Sequence, residues 1–404
     1  MHTIIRNADI LDGSGTPAFR ADIALDGDRI AAIGDLAASD APAVIDGQGL
    51  IAAPGFIDMH SHSDYTLPIN PRAESMIRQG VTTQVIGMCG GSAAPLDPED
   101  RERLKASRPE LPWTWTTFAD YLDTLRENGI SVNVVPMVGH GTVRGMTVGQ
   151  DARPPTADEM VEMKRLIAQA MDEGAWGMST GLIYAPSSFS TTEELIELSR
   201  VPAARDGFYF SHIRGESETL LASVREAIAI GEQAGLPVPF AHFKAQGPEN
   251  WHLLDEALAL VDEARARGVD VAGDRYPYIA SSTSLRAYLP QWVHDGGMEA
   301  LLQRLADPEQ RQRILDTPFP RGRHWEAVMI ASSPTHPEWE GQRVAQSAAQ
   351  RGADPTETAM DLVLEAEGGV SVVFFGMDEE SLVKALRHPA IMIGSDGSAR
   401  APYG

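Results

Sequence analysis

Two kinds of hydrophobic patterning divide the chain. Residues 1 to about 50 alternate apolar and polar positions in short runs, TIIRNADIL, ADIALDGDRIAAIG and AVIDGQGLIAAPG, separated by turn pairs such as Asp12-Gly13 and Asp26-Gly27. Alternation with period two, punctuated by turn residues, predicts short antiparallel strands. From Leu50 onward the runs become continuously apolar, and amphipathic segments follow them. The predicted strands are LIAAPGFIDMH, VTTQVIGMC, SVNVVPMVGH, AWGMSTG, GFYFSH, PVPFAH, VDVAGDRYPY and AIMIGSD. Between them, Thr156 with Glu159 and Thr191 with Glu194 have the spacing of helix capping boxes, and Leu220, Val224, Ala227 and Ile228 share one helical face.

Strand and helix in alternation imply parallel pairing, because only a crossover connection returns the chain to the same end of a sheet. Eight such units predict an α/β fold of the (β/α)8 TIM-barrel type rather than a doubly wound sheet. Residues 1–52 then form a small N-terminal β-domain and residues 53–404 the barrel. More than a hundred residues separate DRYPY from AIMIGSD, too many for one crossover helix, which predicts a partly helical insertion at about residues 285–388. VSVVFF, at Val370–Phe375 inside that insertion, is a rival for one of the barrel strands.

Composition narrows the choice of partners. The 404 residues, 43% of them hydrophobic, suffice for a substantial core. Lys and Arg number 33 against 57 Asp and Glu, and the net charge of -24 disfavours nucleic acid and anionic membrane surfaces. No run approaches the roughly 20 apolar residues of a membrane helix, and Met1 to Asp9 lacks the basic start and apolar core of a secretory signal. A cytoplasmic location is the expectation. The single cysteine, Cys89, excludes an intrachain disulfide and is either a buried apolar residue or a ligand or nucleophile.

The predicted strand ends share a chemistry. His60 and His62 close the first strand, Cys89 the second, His212 the fifth, His242 the sixth and Asp396 the eighth, with His140 at the end of the third as a further candidate. In a (β/α)8 barrel the carboxyl ends of the strands form one rim, so residues distant in sequence converge there. Imidazole, thiolate and carboxylate are the ligands zinc takes, and a catalytic site needs three of them with one position open. Each residue alone has an ordinary structural explanation, as a hydrogen-bonded histidine, a core cysteine or a turn aspartate before Gly397. Their coincidence at five predicted strand ends points instead to a metal site.

These residues resemble the amidohydrolase superfamily, through GFIDMHSHSD, the histidines of FSHIRGE and AHFK, and the aspartate of IGSDG. More narrowly, the chain is similar to the D-aminoacylase (N-acyl-D-amino-acid deacylase) family. Many amidohydrolases place a carboxylated lysine on the fourth strand, whereas AWGMSTGLIYAP has none. GVTTQVIGMCG instead supplies the second-strand cysteine of this family, and DRYPYIASST and FFGMDEESLVKALRHPAIMIGSDG also match it. Family members continue past GSDG with a last barrel helix and strands that complete the small β-domain. That half and that helix are expected to be absent from this chain, or to come from a second polypeptide.

The resemblance implies zinc-dependent hydrolysis of N-acyl-D-amino acids to a carboxylate and a free D-amino acid. It implies one tightly bound Zn2+ on Cys89, His212 and His242, with His60 and His62 forming a weaker adjacent site. Asp396 would carry the proton. Lys244, Tyr276 and Ser282 would contact the carboxylate of the small-molecule substrate, and Arg214, two residues after His212, is a weaker candidate by spacing. Alternatives are a cyclic-amide hydrolase of hydantoinase or dihydroorotase type, which the missing lysine disfavours, a D-amino-acid dipeptidase, and an inactive barrel scaffold.

Overall fold

The computed structural model describes residues 1–319 and 323–400. Residues 401–404, on which the expectation about the chain's end bears, lie outside the described residues. The chain divides into two compact units, Met1–Phe56 and Ile57–Gly404.

The first unit holds β1 (Thr3–Ile10), β2 (Phe19–Asp26), β3 (Arg29–Gly34), β4 (Ala43–Asp46) and β5 (Ile51–Ala52). β1 pairs antiparallel with β2, and β2 with β3, as the alternation predicts. β4 and β5, however, run parallel to β1, against expectation. β2 already occupies one edge of β1, so the chain leaving β3 crosses to the other edge and arrives in the same direction as β1. The Arg6 guanidinium holds this crossing segment by donating to Leu36 O at 3.0 Å and Ser39 O at 2.8 Å.

In the second unit the strands are β6 (Phe56–Asp58), β7 (Val81–Ile86), β8 (Asn133–Pro136), β9 (Val138–Gly139), β10 (Gly177–Gly181), β11 (Phe208–His212), β12 (Val238–Phe240) and β13 (Val271–Arg275). The insertion contributes β14 (Ser281–Ser284), β15 (Val328–Ser332) and β16 (Ser371–Phe374), and the chain then returns in β17 (Ile391–Ile393). Strand order is β6-β7-β8 in one ladder and β9-β10-β11-β12-β13-β17 in the other. The pairings from β9 through β17, and that of β7 with β8, are parallel. The third predicted strand is split at Met137, so that β8 bonds to β7 while β9 bonds to β10. First and last strands also meet: Met59 N donates to Ile393 O at 3.1 Å, and Ser61 and Gly397 form a parallel bridge.

Local chemistry explains the helices between strands. Thr117 and Thr156 form reciprocal capping boxes with Asp120 and Glu159, satisfying amides that a helix leaves without partners. Thr191 caps the helix Thr192–Ala203 through Glu194 N, but the Glu194 side chain does not return the bond. It turns inward to accept from Arg144 Nε at 3.1 Å and Ser190 Oγ at 3.0 Å.

The insertion folds around its own core. β14, β16 and β15 form an antiparallel sheet in that order, packed with Leu285, Tyr288, Trp325, Met360 and Phe374. VSVVFF therefore belongs to the insertion and is not one of the parallel strands. Beneath the strand ends of the main sheet, Val85, Met88, Met137, Phe210 and Ala241 form a small apolar cluster. Burying side chains of the Val, Met and Phe kind contributes about 1.5–3 kcal/mol each, and Met59 and Cys89 pack against this cluster.

Candidate metal centre

Six of the predicted residues converge beside this cluster. His212 ends β11, whereas Cys89, His242 and Asp396 lie in the turns just beyond β7, β12 and β17, with φ of 54°, 38° and 53°. His60 and His62 likewise follow β6 rather than extending it. His212 Nδ1 is 3.0 Å from His242 Nε2, and Cys89 Sγ lies 3.4 Å from the former and 3.7 Å from the latter. Zinc bonds of about 2.0–2.1 Å to nitrogen and 2.3 Å to sulfur, at tetrahedral angles, separate donors by about 3.3–3.6 Å. The three atoms therefore fit one such ion with little movement. A second group adjoins them: His60 Nε2 is 3.4 Å from Cys89 Sγ and 3.5 Å from Asp396 Oδ1, and His62 Nε2 is 3.1 Å from Asp396 Oδ1. Cys89, His60 and His62 also lie within the separations a metal can bridge, as do His60, His242 and Asp396.

Groups of opposite charge face one another in the cluster. Burial opposes ionisation of Cys89, yet the neighbouring His60 and His212, with hydrogen bonds from His212 and His242, hold its thiol well below the ordinary value. Burial likewise works against the Asp396 carboxylate, but His60 and His62 keep its pKa below the usual range. The complement appears on the imidazoles: burial disfavours a charged His62, and Asp396 and Cys89 overcome it, raising the group to about 10. Thiolate and carboxylate are thus each stabilised by neighbouring imidazoles.

Two carboxylates that the sequence reading passed over set the orientation of these rings. Asp274, fully buried in β13, accepts from His60 Nδ1 at 3.1 Å through Oδ2 and from His242 N at 3.1 Å through Oδ1. Glu216 Oε1 lies 2.9 Å from His242 Nδ1 and also pairs with Lys244. A carboxylate behind an imidazole fixes the proton on the near nitrogen and leaves the far one free to coordinate. Both residues stood in quoted motifs, DRYPY and FSHIRGE. Their signal was a carboxylate beside a predicted strand end.

These groups open into a cavity of about 670 Å³ whose wall includes His62, Cys89, His212, His242, Lys244, Tyr276, Ser282 and Asp396. Lys244 is buried, and its ammonium faces Glu216 within this wall. Arg214 is not brought here. β11 ends at His212, so alternation does not carry two residues further; the guanidinium pairs with Glu226 at 2.9 Å and lines a separate cavity. His140 is also elsewhere: at the start of the helix His140–Thr147 it is fully buried, bonded to Ser187 Oγ at 2.9 Å and facing Glu194 at 3.3 Å.

The model of the amidohydrolase family matches residues 43–398. N-acyl-D-glutamate deacylase of Alcaligenes xylosoxydans xylosoxydans is 36% identical over 395 residues, covering 98% of this chain and 73% of that protein. The crystal structure of N-acyl-D-glutamate deacylase from Bordetella bronchiseptica, complexed with zinc and a phosphonate mimic of the tetrahedral intermediate, superposes with a TM-score of 0.81 at 33% identity. It covers 98% of this chain and 76% of its own. A D-aminoacylase structure, described as having a binuclear metal centre with one-metal activation and second-metal attenuation, gives 0.79 at 34% identity, covering 98% and 75%. With this extent of match in sequence and in fold, the chain belongs to the amidohydrolase family.

Proposed function

We propose that the protein hydrolyses the amide bond of N-acyl-D-amino acids, releasing a carboxylate and a free D-amino acid, with zinc held by Cys89, His212 and His242. The observation that carries this reading is the convergence of these three donor atoms with Asp396 in one cavity. His60 and His62 serve a weaker, adjacent metal position, a reading supported by their approach to Cys89 and by the binuclear centre of the related D-aminoacylase. When bound, zinc supplies Lewis acidity toward the amide carbonyl and makes water a nucleophile near neutral pH.

The remaining work falls to side chains. Asp396 Oδ1, held ionised between His60 and His62, accepts the proton of the attacking water and returns it to the leaving nitrogen as the C–N bond breaks. Lys244, Tyr276 and Ser282 line the cavity and receive the substrate carboxylate. Ordered imidazoles keep the donors in place without reorganisation during the reaction, which is where preorganised sites gain most. A cyclic-amide substrate is the weaker reading, since β10, Gly177–Gly181, reads GMSTG and offers no lysine to bridge two metals.

We infer further that the parallel strands close into a (β/α)8 barrel, with Asp396 thereby brought beside His60. The bond from Met59 N to Ile393 O and the Ser61–Gly397 bridge support closure between first and last strands. The deciding experiment compares N-acetyl-D-methionine with N-acetyl-L-methionine, with and without added zinc. Zinc-dependent release of D-methionine with little from the L form is expected. Equal rates on both enantiomers, or hydrolysis indifferent to chelation, would refute the assignment.

A further inference from the structure

Cys89 sits in a tight backbone turn. Gly91 N donates to Met88 O at 3.1 Å, closing a four-residue turn whose central residues, Cys89 and Gly90, have φ of 54° and 77°. Positive φ at both central positions is the type I′ pattern, which glycine, asparagine and aspartate fill readily. Cysteine carries a Cβ that disfavours this region. The residue must stand there for Sγ to face the imidazoles, so a group outside the turn has to hold it.

Ser179 of β10 meets that need. Its hydroxyl accepts from Gly90 N at 3.1 Å and donates to Gly87 O at 2.5 Å, bridging the backbone on both sides of Cys89. The side chain is fully buried, and none of its hydrogen bonds reaches a metal-facing atom. β10 packs directly against the turn: a Cβ at Gly181 would stand 2.2 Å from Cys89 O. On the far side Thr142 completes the clamp, its amide donating to Gly90 O at 3.2 Å and its hydroxyl accepting from Ser92 N at 3.0 Å.

We propose that Ser179 is a positioning residue for the metal centre, its hydroxyl fixing the left-handed backbone of Cys89 and so presetting the direction of Sγ. The strand that lacks a metal-bridging lysine contributes to the centre in this other way. The inference rests on Cys89 being a ligand, and the test separates the two.

Zinc affinity is measured by chelator competition in the parent, Ser179→Ala and Ser199→Ala. Ser199 is an equally buried serine in a helix, without a hydrogen-bond partner among the described residues. Loss of supporting hydrogen bonds around a metal ligand typically weakens binding about 10- to 100-fold, and that loss is expected in Ser179→Ala alone. Cobalt substitution gives a second readout: Cys89 is the only cysteine, so the thiolate-to-cobalt charge-transfer band reports it specifically and should weaken or shift in Ser179→Ala. Parent-like affinity and an unchanged band in that variant overturn the inference, whatever its melting temperature. A parent that binds no zinc overturns the ligand assignment itself. If Ser179→Ala does not fold, Thr142→Val, which removes the hydroxyl holding Ser92 N just past the same turn, is measured in its place with the same expectation.

Discussion

Replacing Asp274 by asparagine isolates the part of the centre that depends on ring orientation. In the parent, Oδ2 accepts from His60 Nδ1 and Oδ1 from His242 N, both at 3.1 Å. An asparagine of the same shape still offers one carbonyl oxygen. If that oxygen stays on His242 N, its amide NH2 faces His60 Nδ1, and two donors oppose each other. The imidazole relieves this by moving its proton to Nε2, the nitrogen that faces Cys89 and Asp396. A protonated nitrogen has no lone pair for a metal. Changes behind a histidine ligand typically weaken binding about 10- to 100-fold, which at 1.4 kcal/mol per factor of ten is about 1.4–2.8 kcal/mol. With His60 in the adjacent position, as proposed, the loss should fall on the second equivalent of zinc, while the first, on Cys89, His212 and His242, binds as in the parent. Stepwise titration of metal-free protein with zinc against a chromophoric chelator resolves the two. Equal weakening of both equivalents, or an unchanged second one, would refute the argument that Asp274 acts through the tautomer of His60.

Other outcomes follow from the same geometry. Cys89→Ala should abolish tight zinc binding, and full zinc content by metal analysis would overturn the ligand set. Asp396→Asn should retain zinc while kcat falls by about 10²- to 10⁴-fold, the usual contribution of general acid-base catalysis; a loss of metal in parallel would mean that Asp396 is mainly a ligand. Lys244→Ala should raise KM for N-acyl amino acids, and a fall in kcat at constant KM would exclude a role in holding the carboxylate. His294 reports on stability: burial and the nearby Arg286 lower its pKa from 6.5 to about 4. Between those values the unfolded chain takes up a proton that the folded imidazole refuses, so stability should fall as pH drops from 6.5 to 4. Replacing it by Gln should flatten that part of the curve of melting temperature against pH, and an unchanged slope would show that other groups dominate.

The apolar runs located the parallel strands well, because a strand buried on both faces leaves a continuous hydrophobic signature. His212, the last residue of β11, was legible for that reason. Cys89, His242 and Asp396 were found by residue type, yet their backbone was hidden: each lies past its strand at positive φ, and nothing in a non-glycine residue announces that conformation. Where a strand was assumed to continue, the outcome differed: Arg214 is turned away, whereas Lys244 reaches the cavity although β12 stops at Phe240. Glu194 misled differently, since capping-box spacing is satisfied at the amide while its carboxylate serves a buried network with His140 and Arg144. Asp274 and Glu216 were not legible as site residues because they stand one hydrogen bond behind the imidazoles instead of facing the metal position themselves. The parallel pairing of β4 with β1 depended on a crossing that local alternation does not encode.

The left-handed backbone at positions 89, 242 and 396 also bears on how such an enzyme could lose its chemistry. Glycine adopts this conformation freely, so a mutation to glycine at any of the three would ease a torsional cost while deleting a reactive side chain. Selection for turnover and selection for a robust fold therefore pull against each other at these sites. A descendant no longer needed as a catalyst should drift toward glycine there and melt at a higher temperature than its active ancestor.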